Sequence, residues 1–160
     1  MEGRTSGRGI TMPILIRKAD CNDSEQICRL EQKFFSKDVS IDEIKSQIAL
    51  KDAYYFVAVI EEEIIGYLSA KAVLDEVDLW YIAVESQYQN QGIGNRLMKE
   101  FMKCMVSEQM ERITLEVRRS NQSAIHLYKK YDFKEISIRK DYYKNPVEDA
   151  VILQYTKNEK

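Results

Sequence analysis

The stretch Tyr88-Gln89-Asn90-Gln91-Gly92-Ile93-Gly94-Asn95-Arg96 spells Gln-x-x-Gly-x-Gly between two segments of different period. Before it, Val77-Asp78-Leu79-Trp80-Tyr81-Ile82-Ala83-Val84 is β-branched and aromatic, as strands are. After it, Leu97, Met98, Phe101, Met102 and Met105 recur at helical spacing. A glycine turn that leaves a strand and opens a helix points unpaired N–H groups at one spot, and the helix dipole adds partial positive charge there. Such a turn binds phosphate. The competing reading is that the glycines merely let strand and helix pack closely. No Gly-Lys-Ser/Thr follows, which excludes a nucleoside-triphosphate loop. The dinucleotide fingerprint needs a third glycine where Leu97 stands, and it follows the first strand of its domain, whereas this loop lies past mid-chain.

A second set of candidates lies downstream. Arg112-Ile113-Thr114-Leu115-Glu116-Val117-Arg118 alternates strictly, with Ile113, Leu115 and Val117 on one face and Thr114, Glu116 and Arg118 on the other. Glu116 is therefore held on a rigid strand opposite the apolar side. Asn121 follows, and Tyr128 lies about two turns into the next helical run. Each has a plain reading. Glu116 could be a solvated carboxylate, Asn121 a helix N-cap, Tyr128 a core aromatic, and Tyr142 and Tyr143 packing residues.

The elements that must position these residues can be read from period and punctuation. Ile14-Leu15-Ile16 suggests a strand. Asp20 to Phe35 and Ser40 to Leu50 read as helices, the second opened by a Ser40/Glu43 capping box. Tyr54 to Ile60, Ile64 to Val73 and Val77 to Val84 read as strands joined by turns at Glu61-Glu62-Glu63 and Asp75-Glu76. A helix from Gly92, a strand from Arg112 to Arg118 and a helix from Gln122 to Tyr131 follow. Strands near Phe133 to Arg139 and Ala150 to Tyr155 close the chain. The order β-α-α-β-β-β-α-β-α-β-β predicts an α/β fold: a mixed, mostly antiparallel sheet of about seven strands flanked by about four helices.

The chain has 160 residues, enough for one domain with a substantial core, placed at 13–156. Residues 1–12 are polar and glycine-rich, lack the apolar run of a secretory signal, and read as a flexible arm; 157–160 reads as a frayed tail. Net charge is −2 with both signs interspersed, unlike a nucleic-acid binder. No apolar run is long enough to span a membrane. Neither nucleic acid nor membrane is expected as a partner, and nothing in the sequence sets an oligomeric state. The three cysteines, Cys21, Cys28 and Cys104, have no metal or redox spacing, as expected of thiols in the reducing cytoplasm. With one histidine, His126, which reads as a surface residue of a helix, no metal site is expected.

Gln-x-x-Gly-x-Gly after a strand resembles the pyrophosphate loop of the GCN5-related N-acetyltransferases (GNAT), and the element order is similar to theirs over essentially the whole chain. Within that family, Leu115-Glu116-Val117-Arg118, Asn121, Ala124-Ile125, Leu127-Tyr128 and Phe133 are similar to the RimI branch. So are Leu74-Asp75-Glu76 with Ile82-Ala83-Val84, and Ile138-Arg139-Lys140-Asp141-Tyr142-Tyr143 with Glu148-Asp149-Ala150. RimI-type enzymes acetylate protein N-termini, a small-subunit ribosomal protein being the bacterial target. The resemblance implies acetyl-coenzyme A as co-substrate and a protein or peptide N-terminus, with a ribosomal protein as the candidate, as partner. It implies Glu116 as general base and Tyr128 as general acid. Ile82, Ala83 and Val84 would pair their backbone with the pantetheine arm, an N–H near Val84 would face the oxyanion, and Asn90, Gln91, Gly92, Ile93, Gly94 and Asn95 would wrap the pyrophosphate. Asn121 would contact the coenzyme. Tyr142 and Tyr143, in the loop before the last strand, would shape the peptide slot.

Two departures stand out. Where the branch usually has Pro-Trp-Ser near the peptide site, this chain has Phe34-Phe35-Ser36-Lys37-Asp38, which weakens any inference about the preferred N-terminus. Asp132 replaces the usual glycine before Phe133, at a left-handed helix end that aspartate tolerates. Acetylation of lysine side chains or a small amine stays open as an alternative, as does a non-catalytic acetyl-coenzyme A-binding module.

Overall fold

A computed structural model describes residues 3–5 and 11–157. Near the N-terminus, β1 (Gly3–Thr5) pairs antiparallel with β2 (Thr11–Pro13) as a separate two-stranded ribbon. The rest of the expected arm and the last residues of the expected tail, 158–160, lie outside the described residues. The main sheet comprises β3 (Leu15–Lys18), β4 (Ala53–Ile60), β5 (Glu63–Val73), β6 (Glu76–Val84), β7 (Arg112–Arg118), β8 (Lys134–Tyr143) and β9 (Glu148–Thr156), in the spatial order β3-β4-β5-β6-β7-β9-β8. The helices are α1 (Ser24–Phe35), α2 (Ile41–Ile48), α3 (Ile93–Ser107) and α4 (Gln122–Lys130). Beyond the N-terminal ribbon, the order of strands and helices along the chain is the one the sequence predicts.

Helix starts follow local chemistry. Ser40 and Glu43 form the reciprocal capping box that opens α2. A 3₁₀ turn at Cys21–Asp23, capped by Asp20, replaces the first turn expected of α1. Asp132 takes φ 69° just past α4, the left-handed end expected there.

Both faces of the central strands are covered, so they read as near-continuous apolar runs. Tyr54, Phe56, Ala58 and Ile60 of β4 join the α3 core around Leu97, Met98 and Phe101. The alternate residues Tyr55, Val57 and Val59 join the α1–α2 core around Ile27, Leu30 and Ile44. On β7, Ile113, Leu115 and Val117 belong to the α3 core, which turns Glu116 to the other side of the sheet, where it is exposed.

Every strand pair in the main sheet is antiparallel except β6–β7. That pair is in register only at Glu76↔Arg112, Val77↔Ile113 and Asp78↔Thr114, and then ends. A bulge lies just beyond: Ser69 of β5 faces Tyr81 and Ala70 faces Leu79, leaving Trp80 as the extra residue. From Trp80 onward β6 stays with β5, while β7 pairs with β9 along its full length. The two strands therefore part into a wedge.

Gly66 is fixed by packing against this bent strand. A Cβ there would lie 2.9 Å from the Ala83 carbonyl oxygen, closer than backbone tolerates. Gly66→Ala is expected to cost about 1–3 kcal/mol as an overpacking change. Urea denaturation checks this, and a change within about 0.5 kcal/mol would mean that β6 has room to move.

Candidate active site

The wedge opens a cleft of about 520 Å³ lined by Asp78, Tyr81, Glu116, Arg139, Tyr142 and Tyr143, among others. Glu116 reaches it from β7. Its Oε1 accepts a hydrogen bond from the Tyr142 hydroxyl at 3.0 Å, and its Oε2 lies 3.2 Å from Nη1 of Arg139. The bond to Glu116 raises the Tyr142 pKa, so this hydroxyl keeps its proton at neutral pH. Burial and then the Glu116 charge also raise the pKa of Asp78, across the cleft.

Tyr142 and Tyr143 end β8 rather than lying in a loop, because β8 continues to Tyr143. Their rings meet edge to face with centroids 5.0 Å apart. Arg118 pins the turn that follows: it donates to the carbonyls of Lys144 at 2.9 Å and Pro146 at 3.0 Å, pairs with Glu148 at 3.2 Å and stacks 4.6 Å from the Tyr143 ring centroid. Burial comes first among the causes that push the Tyr143 pKa up to about 12.

Tyr128 does not line the cleft. It is buried on α4 with its ring 6.0 Å from that of Phe133. Burial raises its pKa, with a further push from Tyr143, and both keep the phenol protonated. Asn121 is the N-cap of α4, its Oδ1 accepting from the Ala124 N–H at 3.2 Å, so the plain reading of its carbonyl holds.

The edge of β6 at Ile82, Ala83 and Val84 pairs with Leu68, Tyr67 and Gly66 of β5 on one side and, with β7 gone, with no strand among the described residues on the other. Gln89 occupies part of that edge by donating its Nε2 to the Val84 carbonyl at 2.9 Å. Beyond it, Asn90 takes φ 63° and Gly92 φ 81°, the left-handed turn that swings the chain into α3. Gly92 caps α3 with no side-chain hydrogen bond, so no side chain occupies the N–H groups of Ile93, Gly94 and Asn95 through such a cap. The side chains of Gln91 and Asn95 have local work: Gln91 donates to the Gln87 carbonyl at 3.3 Å, and Asn95 Oδ1 accepts from the Tyr131 hydroxyl at 2.7 Å. A Cβ on Gly94 would meet only the Leu127 side chain at 3.6 Å, an ordinary contact. Packing therefore does not demand glycine at Gly94, and the loop's backbone donors fit a pyrophosphate.

Sequence reasoning did not find Arg139 or Tyr81. Tyr81 links the Phe34–Asp38 departure to the cleft: the Phe35 ring lies 4.3 Å from its ring, and Lys37 Nζ stands 5.0 Å above it.

Residues 24–133 match the model of the acetyltransferase (GNAT) family. The chain is 33% identical over 143 residues to the [ribosomal protein bS18]-alanine N-acetyltransferase of Haemophilus influenzae, covering 87% of this chain and 96% of that protein. It is 30% identical over 151 residues to an N-alpha-acetyltransferase of Sulfurisphaera tokodaii, covering 86% of this chain and 90% of that one. The crystal structure of the ribosomal-protein-S18-alanine N-acetyltransferase from Escherichia coli superposes with a TM-score of 0.80 at 28% identity, over 90% of this chain and 94% of that chain. The chain belongs to the GNAT family of acetyltransferases. Its co-substrate is acetyl-coenzyme A.

Gly94→Ala separates the two readings of the glycine loop. It is expected to leave stability within about 0.5 kcal/mol, since the added Cβ meets an ordinary contact. If the glycine serves close approach of the backbone to a pyrophosphate, the same change should weaken acetyl-coenzyme A binding by about tenfold or more. Thermal unfolding and calorimetric titration of the same variant check both halves.

Proposed function

We propose that the chain transfers the acetyl group of acetyl-coenzyme A to the α-amino group of a protein N-terminus, with a ribosomal protein as the substrate class to test first. We place this activity in residues 13–156. The observation that carries the reading is the convergence of Glu116 with Tyr142 and Tyr143 in one cleft at the β6–β7 wedge. The names of the relatives point the same way: that from Haemophilus influenzae is a ribosomal protein bS18-alanine N-acetyltransferase, and that from Sulfurisphaera tokodaii is an N-alpha-acetyltransferase.

The chemistry suits an α-amine. A free α-amino group titrates near pH ~8, against ~10.4 for lysine. At neutral pH a single carboxylate has little deprotonation to drive. Glu116 takes the proton of the amine, through a water, as the nitrogen becomes a nucleophile. Tyr128, whose raised pKa keeps it protonated, supplies the proton that the leaving sulfur needs. The coenzyme contributes an activated acetyl thioester. The edge at Ile82, Ala83 and Val84 holds the pantetheine arm, and an N–H near Val84 faces the developing oxyanion. The backbone from Asn90 through Gln91, Gly92, Ile93 and Gly94 to Asn95 holds the pyrophosphate, and the Asn121 amide nitrogen contacts the coenzyme. Tyr142 and Tyr143 form the wall of the peptide slot.

Glu116→Gln and Tyr128→Phe should each cut turnover by ~100-fold or more while leaving coenzyme affinity nearly intact. Unchanged turnover in both would refute the assigned roles. The substrate class is tested by acetyl transfer to peptides with free N-termini, with blocked N-termini, and with lysine replaced by arginine. Activity should vanish on blocking and survive the loss of lysine. Activity that follows lysine would instead define a side-chain acetyltransferase.

A further inference from the structure

Glu116, the residue assigned to receive the substrate amine, already has a cation. Arg139 of β8 holds its Oε2 at 3.2 Å, while Tyr142 holds its Oε1 at 3.0 Å. Arg139 also lines the cleft. The guanidinium is held lightly for a residue in a candidate active site. Its side chain is 61% exposed, β8 is the edge strand of the sheet, and its other neighbour is the Tyr142 ring, 5.6 Å from the guanidinium carbon. Leaving Glu116 would cost Arg139 one solvent-screened ion pair. The cleft needs a cation at this place. Asp78 and Glu116 line it together, and the Asp78 carboxylate has no hydrogen bond or ion pair among the described residues. A protonated amine carries the same charge as Arg139 and has compact donors to offer.

We propose that Arg139 is a placeholder cation: it occupies Glu116 in the free enzyme, and the ammonium of the incoming substrate exchanges with it. Arg139 is thus a positioning residue that competes with substrate. It keeps Glu116 turned into the cleft and swings back over Tyr142 toward water as the substrate amine arrives. Tyr142 retains its bond to Oε1 throughout, so the carboxylate does not lose its orientation during the exchange. This inference rests on the assignment of Glu116 as the group that receives the amine.

The test measures steady-state kinetics with saturating acetyl-coenzyme A and a peptide whose N-terminus is free. Removing the competitor in Arg139→Gln should lower the KM for peptide about two- to fivefold, the range of an exposed ion pair. Arg139→Lys, which restores a cation, should return KM toward the parent value. In a Glu116→Gln background, Arg139→Gln should leave KM unchanged, since no carboxylate remains to compete for. A KM that rises or stays fixed in Arg139→Gln overturns the exchange, as does an equal fall of KM in the Glu116→Gln background. The assignment of an N-terminal amine fails separately, if no peptide with a free N-terminus is acetylated by the parent enzyme.

Discussion

The parting of β6 from β7 is the constraint on which the rest of the site depends. Two parallel strands that stayed paired would close the sheet and leave neither a cleft nor a free backbone edge. Here the ladder ends at Asp78↔Thr114, and the bulge at Trp80 keeps β6 on β5 while β7 follows β9. One break has three results. It opens the cleft beside Glu116. It frees the β6 edge at Ile82–Val84 from strand pairing with β7. It also delivers the end of β6 to the left-handed turn at Gly92, whose helix offers N–H donors to a phosphate. Gly66 makes the bend possible by letting β5 approach the Ala83 carbonyl.

The far wall of the cleft is built by a different device. The β8–β9 hairpin is pinned from beneath by Arg118, which holds two of its carbonyls, the Glu148 carboxylate and the Tyr143 ring. Arg118 and Glu116 share one face of β7, two residues apart. The strand that carries the carboxylate therefore also anchors the wall opposite it, and the distance between Glu116 and Tyr142 is set by a single rigid element. This is how a reactive group is held by packing and hydrogen bonds around it rather than by a loop.

Much of this was legible in the sequence, and the gaps have physical causes. The element order, the Ser40–Glu43 capping box, the glycine turn and the outward face of Glu116 all follow from period and local chemistry, which the chain writes plainly. Asn121 was legible as a cap. The wedge was not, since Trp80 sits in an unbroken β-branched and aromatic run and nothing in its type marks it as the bulged residue. Arg139 was missed for a related reason. Arg139 and Tyr142 are three apart, which in a regular strand puts them on opposite faces. A shift of register between Arg139 and Tyr143, with Asp141 at φ 51°, brings both onto Glu116. The end of β8 at Tyr142 and Tyr143 is not legible either, because Lys140 breaks the apolar alternation of Ile136 and Ile138 before the strand ends.

In the proposed complex, two neighbouring sets of backbone groups, the β6 edge and the first turn of α3, hold acetyl-coenzyme A. Amide hydrogen exchange, read residue by residue with and without saturating coenzyme, tests it most directly. Protection gained on binding is expected to concentrate at Ile82–Val84 and at Ile93–Asn95. Coenzyme that binds while these amides exchange as before, with protection gained elsewhere on the sheet, would contradict it.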